Sequence, residues 1–237
     1  MNIYLFDESF REKGFKRIAG IDEAGRGPLA GPVVASAVVL QPMKKIEDLR
    51  DSKKVPEKER EFLFFEILSC CLDIGVGIIE ADEIDRINIL RATRLAMEKA
   101  VKDLSAEPDL LLIDAVKLPA LHIKQISPVK GESVSASIAA ASIIAKVVRD
   151  RLMQQYHQVY PVYGFEKHKG YCTKEHIESL LNYGPCPIHR KSFEKVMSLM
   201  LPFEKASNIN ALSEVSLRGV ERRSNLKTRL PRPSGSQ

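Results

Sequence analysis

Two aspartates close apolar runs in this sequence: Asp22 ends RIAGID and Asp114 ends DLLLID. A carboxylate buried at the end of a strand is costly unless it is paired or used. In open α/β sheets, ligands collect beyond the carboxyl ends of the strands. One such Asp alone is most simply a turn starter or helix cap. Two at matching positions, with Glu23 beside the first, point to a site. No Ser–His–Asp or Cys–His set accompanies them. The cysteines, Cys70, Cys71, Cys172 and Cys186, have neither CxxC nor zinc-site spacing and read as reduced thiols. Oxygen-only ligands suit hard cations such as Mg2+ or Mn2+. Clustered carboxylates can hold two such ions about 3.5–4 Å apart, the arrangement used for in-line phosphoryl displacement.

The run AGRGPLAGP follows the first acids directly. Gly25 and Gly27 flank Arg26, so the backbone can approach a ligand closely with its N–H groups exposed. Arg26 could pair a phosphate in bidentate fashion. The plainer alternative is a Gly/Pro turn between two strands. Strict alternation places Asp22 and Glu23 on opposite faces of a strand. Both reach one site only if the chain leaves the sheet at Glu23.

The elements that must position these residues follow from periodicity. Strands are expected at Arg17–Asp22, Val33–Leu40, Asp73–Glu80, Asp109–Asp114 and Leu121–Ile126. A helix is expected from Pro56 to Cys70, Pro being well placed at a helix start. Ala81–Leu104 reads as one helix with an apolar face, and Thr173–Asn182 as a weaker one. Ser133–Tyr160 reads as a long helix whose centre, SIAAASIIAKVV, is apolar almost all round and therefore internal. Strands first, then strands alternating with helices, predict an α/β domain: a mixed sheet flanked by helices on both faces.

The chain has 237 residues, 44% hydrophobic and 28% charged, so collagen-like, wholly disordered and disulfide-scaffold classes are excluded. Its apolar runs all fall short of the ~18 residues that a membrane span requires. The first residues lack a signal-peptide pattern, so a cytoplasmic location is expected. The net charge of +5 lies wholly in residues 205–237, where seven basic side chains face two acids. Residues 1–204 are expected to form the catalytic domain. Residues 205–237 are expected to be a basic, partly helical and partly disordered C-terminal extension. Such a tail suits a polyanion, although a solvated extension explains the charge equally well.

The combined motifs resemble bacterial ribonuclease HII. They are GIDEAGRGPLAGPVV, DSKK at 51–54, LLIDAVKLP at 111–119, KGESVSASIAAASIIAKVVRDR at 130–151, YGFEKHKGY at 163–171 and HRKSF at 189–193. The resemblance implies a ribonuclease H-like fold and a divalent-metal-dependent endonuclease. That enzyme cuts the RNA strand of RNA–DNA hybrids, and cuts 5′ of single ribonucleotides embedded in duplex DNA. Products carry 3′-hydroxyl and 5′-phosphate ends. It implies Mg2+ or Mn2+ held by Asp22, Glu23, Asp114 and Glu132, with Asp22 bridging two ions. Glu132 stands where the family has the Asp of a KGD motif, and is longer by one methylene. Asp150 is the only nearby substitute. A helix over 134–150 is about 24 Å long at ~1.5 Å per residue, so Glu132 and Asp150 cannot share one metal site. Asp150 is then expected to pair at the surface with Arg149 or Arg151.

The resemblance also assigns substrate contacts. The backbone of Gly25, Arg26 and Gly27 would read the ribose 2′-hydroxyl, the group that separates RNA from DNA. Tyr171 would stack on the sugar beside the cut. Ser52, Lys53, Lys54 and Lys169 would contact phosphates, and His168, Arg190 and Lys191 could track the same backbone. Expected partners are RNA–DNA hybrids and ribonucleotide-containing duplex DNA, with no membrane, the protein acting as a monomer. Three rival readings fit parts of the same pattern: a type HIII ribonuclease, a resolvase-like nuclease, and a nucleic-acid-binding protein with a dead metal site. The GRG run and the absence of an added amino-terminal domain speak against type HIII. Four retained carboxylates speak against a dead site.

Overall fold

A computed structural model describes residues 2–114 and 116–207, the side chains of 201–207 excepted. The expected extension therefore lies outside the described residues from position 208 onward. Five strands form one mixed sheet: β1 (Ile18–Ala24), β2 (Val33–Leu40), β3 (Cys71–Ile79), β4 (Leu110–Ile113) and β5 (Lys124–Ile126). Their spatial order is β3-β2-β1-β4-β5. β1, β2 and β3 form an antiparallel meander, whereas β4 and β5 add in parallel on the other side of β1. The central strands β1, β2 and β4 are almost continuously apolar because helices cover both faces.

One face carries α3 (Ala81–Ile87) and α4 (Ile89–Lys102), with Ala92, Ala96, Met97 and Ala100 packed on Ala19, Ile21, Ala35 and Leu111. The other carries α5 (Ala136–Val159) and α2 (Glu57–Cys70), with Ile143, Ile144 and Ile67 packed near Val38 and Leu40. Each fully buried Ile or Leu contributes roughly 1.5–3 kcal/mol. The long central helix is internal, as its all-round apolar centre predicts. It lies directly on β1: a Cβ at Gly20 would fall on the backbone of Ser137 and Ile138.

Three features differ from the sequence expectation. Ala81–Leu104 is two helices, broken at Asn88, which adopts φ 70° and caps α4 by accepting the Arg91 N–H at 3.1 Å. The long helix is preceded by a separate 3-10 turn at Gly131–Ser133. An unexpected helix, α1 (Ile3–Arg11), brings Asp7 to the start of α5, where it accepts from Ser135 Oγ (2.6 Å), Ser137 N (2.8 Å) and Ser137 Oγ (2.7 Å). Beyond α5 follow the short α6 (Phe165–His168), α7 (Lys174–Tyr183) and α8 (Glu194–Ser207). Among the described residues no helix is long and apolar enough to cross a membrane.

Candidate active site

The sheet brings the first acids together where β1 outlasts β4. Their parallel pairing stops at Ile21 and Ile113, and the Asp114 N–H donates to the Ile21 carbonyl at 3.2 Å. β1 continues on its β2 side, pairing Asp22 with Ser36 and Glu23 with Ala35. The chain therefore does not leave the sheet at Glu23, as alternation had seemed to require. Both faces remain open to a common site because the neighbour on the β4 side has already ended. Asp22 shares the α5 face with Gly20, and Glu23 shares the α4 face with Ile21.

Asp22 is buried and its carboxyl is pushed well above the usual range, first by desolvation, then by Glu23 and Asp114. Its Oδ1 accepts the Glu23 N–H at 2.8 Å. Glu23 is also raised, chiefly by desolvation, although Arg26 at 3.3 Å opposes this. Asp114 Oδ1 accepts the Gly131 N–H at 2.7 Å, which draws the turn carrying Glu132 to the same place. Glu132 is buried, and its Oε2 has no hydrogen-bond partner. Lys53 stands near all four acids and Asp51: desolvation lowers its pKa, but Asp22, Asp51, Glu132 and Asp114 together raise it.

Among the described residues, no group of three or more His, Cys, Asp or Glu side chains is gathered closely enough to hold a metal ion by itself. The donor chemistry nevertheless fits a hard divalent cation. The acids offer only oxygen, burial and mutual repulsion raise two of them, and one buried carboxylate oxygen is orphaned.

The glycine loop lies beside this cluster. Gly25 has φ 97°, a conformation that costs a side chain dearly, and a Cβ there would strike the Arg149 side chain. A Cβ on Gly27 would sit 3.9 Å from Tyr171 Cε1, so Tyr171 adjoins the loop. Tyr171 is 45% exposed and free to meet a ligand. Its backbone is fixed from below by imidazoles. His176 Nδ1 lies 2.8 Å from the Tyr171 carbonyl, His176 Nε2 lies 2.9 Å from His189 Nε2, and the Cys186 N–H donates to His189 Nδ1 at 2.9 Å. A carbonyl only accepts and an N–H only donates, so one neutral arrangement satisfies all three contacts: Nδ1–H on His176, Nε2–H on His189. Burial, the largest cause in both, lowers His176 to about 4 and His189 to about 3.

The proposed phosphate contacts fare unevenly. Lys53, Lys54 and Lys191 are exposed, whereas Ser52 is buried and donates its N–H to Ser142 Oγ at 3.2 Å. Lys169 Nζ rests on the Glu166 carbonyl, 3.9 Å from Glu57. His168 is half-buried against the Tyr163 carbonyl at 2.7 Å. Arg190 is not at the surface: it is fully buried and bonded to the carbonyls of Gly25, Arg26 and Gly31. Asp150 is not a surface acid either. It is buried and pairs with Lys146 at 2.6 Å and Arg60 at 3.4 Å, while Arg151 pairs with Glu61. Arg149 is also buried, beneath the glycine loop. No sequence signal marked these two arginines as interior, because Arg is ordinarily exposed.

The ribonuclease HII family model matches residues 19–196, the span that holds every element of this site. The chain belongs to the ribonuclease HII family. It is 54% identical over 198 residues to a ribonuclease HII of Bacillus subtilis, covering 84% of this chain and 77% of that one. It resembles the ribonuclease H2 structure from Pyrococcus horikoshii with a TM-score of 0.67 and 29% identity, covering 80% of this chain and 100% of that chain. A ribonuclease HIII structure in complex with Mn2+ (Bst-RNase HIII) shares the fold at a TM-score of 0.63 and 20% identity, over 78% of this chain and 69% of that one. The ribonuclease H-like fold and a metal-dependent endoribonuclease that degrades the RNA of RNA–DNA hybrids follow from this membership.

Proposed function

We propose that this member of the ribonuclease HII family also cuts 5′ of single ribonucleotides in duplex DNA, leaving 3′-hydroxyl and 5′-phosphate ends. The observation that carries this reading is the adjacency of three things: the acids at the ends of β1 and β4, the Gly25–Gly27 loop, and the exposed ring of Tyr171. Asp22, Glu23, Asp114 and Glu132 would hold two Mg2+ or Mn2+ ions, with Glu132 in place of the family's Asp. Bound there, such ions activate water and stabilise the leaving oxygen. The related HIII protein, solved with Mn2+, supports this choice of metal.

The protein's own groups supply recognition and exclusion. The loop N–H groups would bond the ribose 2′-hydroxyl, and Tyr171 would stack against that sugar, so a deoxyribose forfeits a hydrogen bond that the site has prepared. Lys53 and Lys54 would meet substrate phosphates. The acids around Lys53 favour its charged form, which suits a phosphate contact. The chain is taken to act as a monomer in the cytoplasm, a reducing setting that suits its four free cysteines. Residues 1–204 would be the catalytic domain and 205–237 an extension that adds affinity for nucleic acid.

The test is an incubation with DNA duplexes holding zero, one or four ribonucleotides, with Mg2+, Mn2+ or chelator, and mapping of each cut. Cleavage at the single ribonucleotide, dependent on metal, is expected. Cleavage only of the four-ribonucleotide duplex would refute the single-site reading.

A further inference from the structure

Two arginines stand out from the rest of the core. Arg149 and Arg190 are each 0% exposed, and among the described residues neither makes an ion pair. A buried charge without a carboxylate needs compensation from hydrogen bonds. Both find it in the stretch from Gly25 to Pro32, and Arg149 also at Lys169. Arg149 donates to the carbonyls of Pro32 (3.0 Å), Ala30 (3.1 Å) and Lys169 (3.0 Å). Arg190 donates to those of Gly31 (2.9 Å), Arg26 (3.1 Å) and Gly25 (2.6 Å). Burial lowers Arg149 to about 10, and burial with the nearby Arg149 charge lowers Arg190 to about 9, so both stay protonated at neutral pH.

This geometry has a consequence for the other side of the loop. In a planar trans peptide the C=O and the following N–H point in opposite directions. The Gly25 and Arg26 carbonyls turn inward to Arg190. The N–H groups of Arg26 and Gly27 must then point away from Arg190, in a loop whose Arg26 side chain reaches Glu23 and whose Gly27 adjoins the ring of Tyr171. Among the described residues neither N–H has an acceptor. A cation bonded to a peptide oxygen also polarises that peptide and strengthens its N–H as a donor. Arg149 extends the same hold to the second wall: it binds the Lys169 carbonyl, and its guanidinium carbon lies 5.9 Å from the centre of the Tyr171 ring.

We propose that Arg190 and Arg149 are positioning residues for ribose recognition. Arg190 aims and polarises the N–H groups of Arg26 and Gly27 at the 2′-hydroxyl, and Arg149 locks that loop to the segment bearing Tyr171. The proposal rests on the reading of the loop as the ribose-recognition element. Lysine keeps the charge but cannot reach three carbonyls in a fixed fork. Arg190→Lys and Arg149→Lys should therefore lose selectivity more than affinity.

The experiment uses the full chain with Ca2+ in place of Mg2+, to measure binding apart from cleavage. Dissociation constants are compared for a duplex with one ribonucleotide and for its all-deoxy counterpart. Wild type should prefer the ribonucleotide duplex. In the Arg190→Lys protein that preference should shrink by about tenfold or more, the discrimination of roughly one hydrogen bond. Affinity for the all-deoxy duplex should change less than about twofold. Arg149→Lys should act in the same direction. A folded variant that keeps the wild-type preference overturns the proposal. So does an equal loss of affinity for both duplexes, which marks a merely structural role, and so does failure of both variants to fold. If wild type itself shows no preference, the ribose-reading assignment of the loop fails first, a result distinct from all of these.

Discussion

At the scale of single residues, the spacing of two acids was visible in the sequence, and the groups beneath the glycine loop were not. Asp22 and Asp114 announced themselves by closing apolar runs, and the structure sets both where β4 ends against β1. Replacing either by Asn keeps the shape and removes a charge that the cations require. Each substitution should lower cleavage on the order of 10³-fold, the equivalent of about 4 kcal/mol of lost transition-state stabilisation. Duplex binding should survive, and gel cleavage beside a binding titration would show both. Near-wild-type turnover at ordinary metal concentration would contradict the ligand assignment. Tyr171 offers a graded test. Phe retains stacking and loses the hydroxyl, whereas Ala loses both, and stacking is worth roughly 1–3 kcal/mol per base in single-strand binders. Tyr171→Ala should be clearly slower than Tyr171→Phe on a single-ribonucleotide duplex, and equality of both with wild type would remove Tyr171 from the site. Arg149 and Arg190 were illegible for a physical reason. A local sequence window carries no sign that a guanidinium will find six inward carbonyls from distant segments.

At the scale of elements, apolar runs marked β1 to β4 and the central helix, while the breaks stayed hidden. Asn88 interrupts a periodic pattern without Gly or Pro, and only its φ of 70° with ψ of 161° shows that the chain turns there. That region strongly favours glycine. Asn88→Ala should destabilise the protein by about 1–2 kcal/mol through strain and a lost cap. Asn88→Gly should be close to neutral in chemical denaturation, because relief of strain offsets the cap. A milder effect of Ala than of Gly would mean that the backbone there is not strained. The start of α7 and the turn before Arg190 meet through the His176–His189 bond, which needs both rings neutral. Both pKa values are depressed from 6.5, so the unfolded chain takes up protons first as pH falls. Stability from these rings is complete above about pH 6.5 and declines toward pH 4 and below. Between pH 6.5 and 5 the loss should be about 1.5 kcal/mol per ring. Urea unfolding at the two pH values measures it, and imidazole NMR shifts should show both rings still neutral at pH 5. Rings charged at pH 5 would contradict the assignment.

At the scale of the whole molecule, charge and sheet divide the work. Residues 1–204 carry no net charge, whereas residues 205–237 carry all of the +5. Deleting residues 218–237 removes six basic side chains and Glu221. Hybrid binding should weaken and its log–log salt dependence flatten by up to about 0.9 per lost phosphate contact, with the cut position unchanged. A large fall in thermal midpoint with an unchanged salt slope would show instead that the segment supports the body. The parallel run of β1 and α5 has a consequence for chain length. The two touch at Gly20 against Ser137 and Ile138, and again at Gly25 against Arg149. At about 3.3 Å per strand residue and 1.5 Å per helix residue, both stretches advance by roughly 17 Å. They are two rails cut to one gauge. One residue inserted between Ile138 and Arg149 would swing the guanidinium about 100° around the helix and strand the carbonyls above it. The same insertion among residues 42–45, which are exposed in a loop, would change little. Tolerance of insertions should thus follow these two spacings and not distance from the acids.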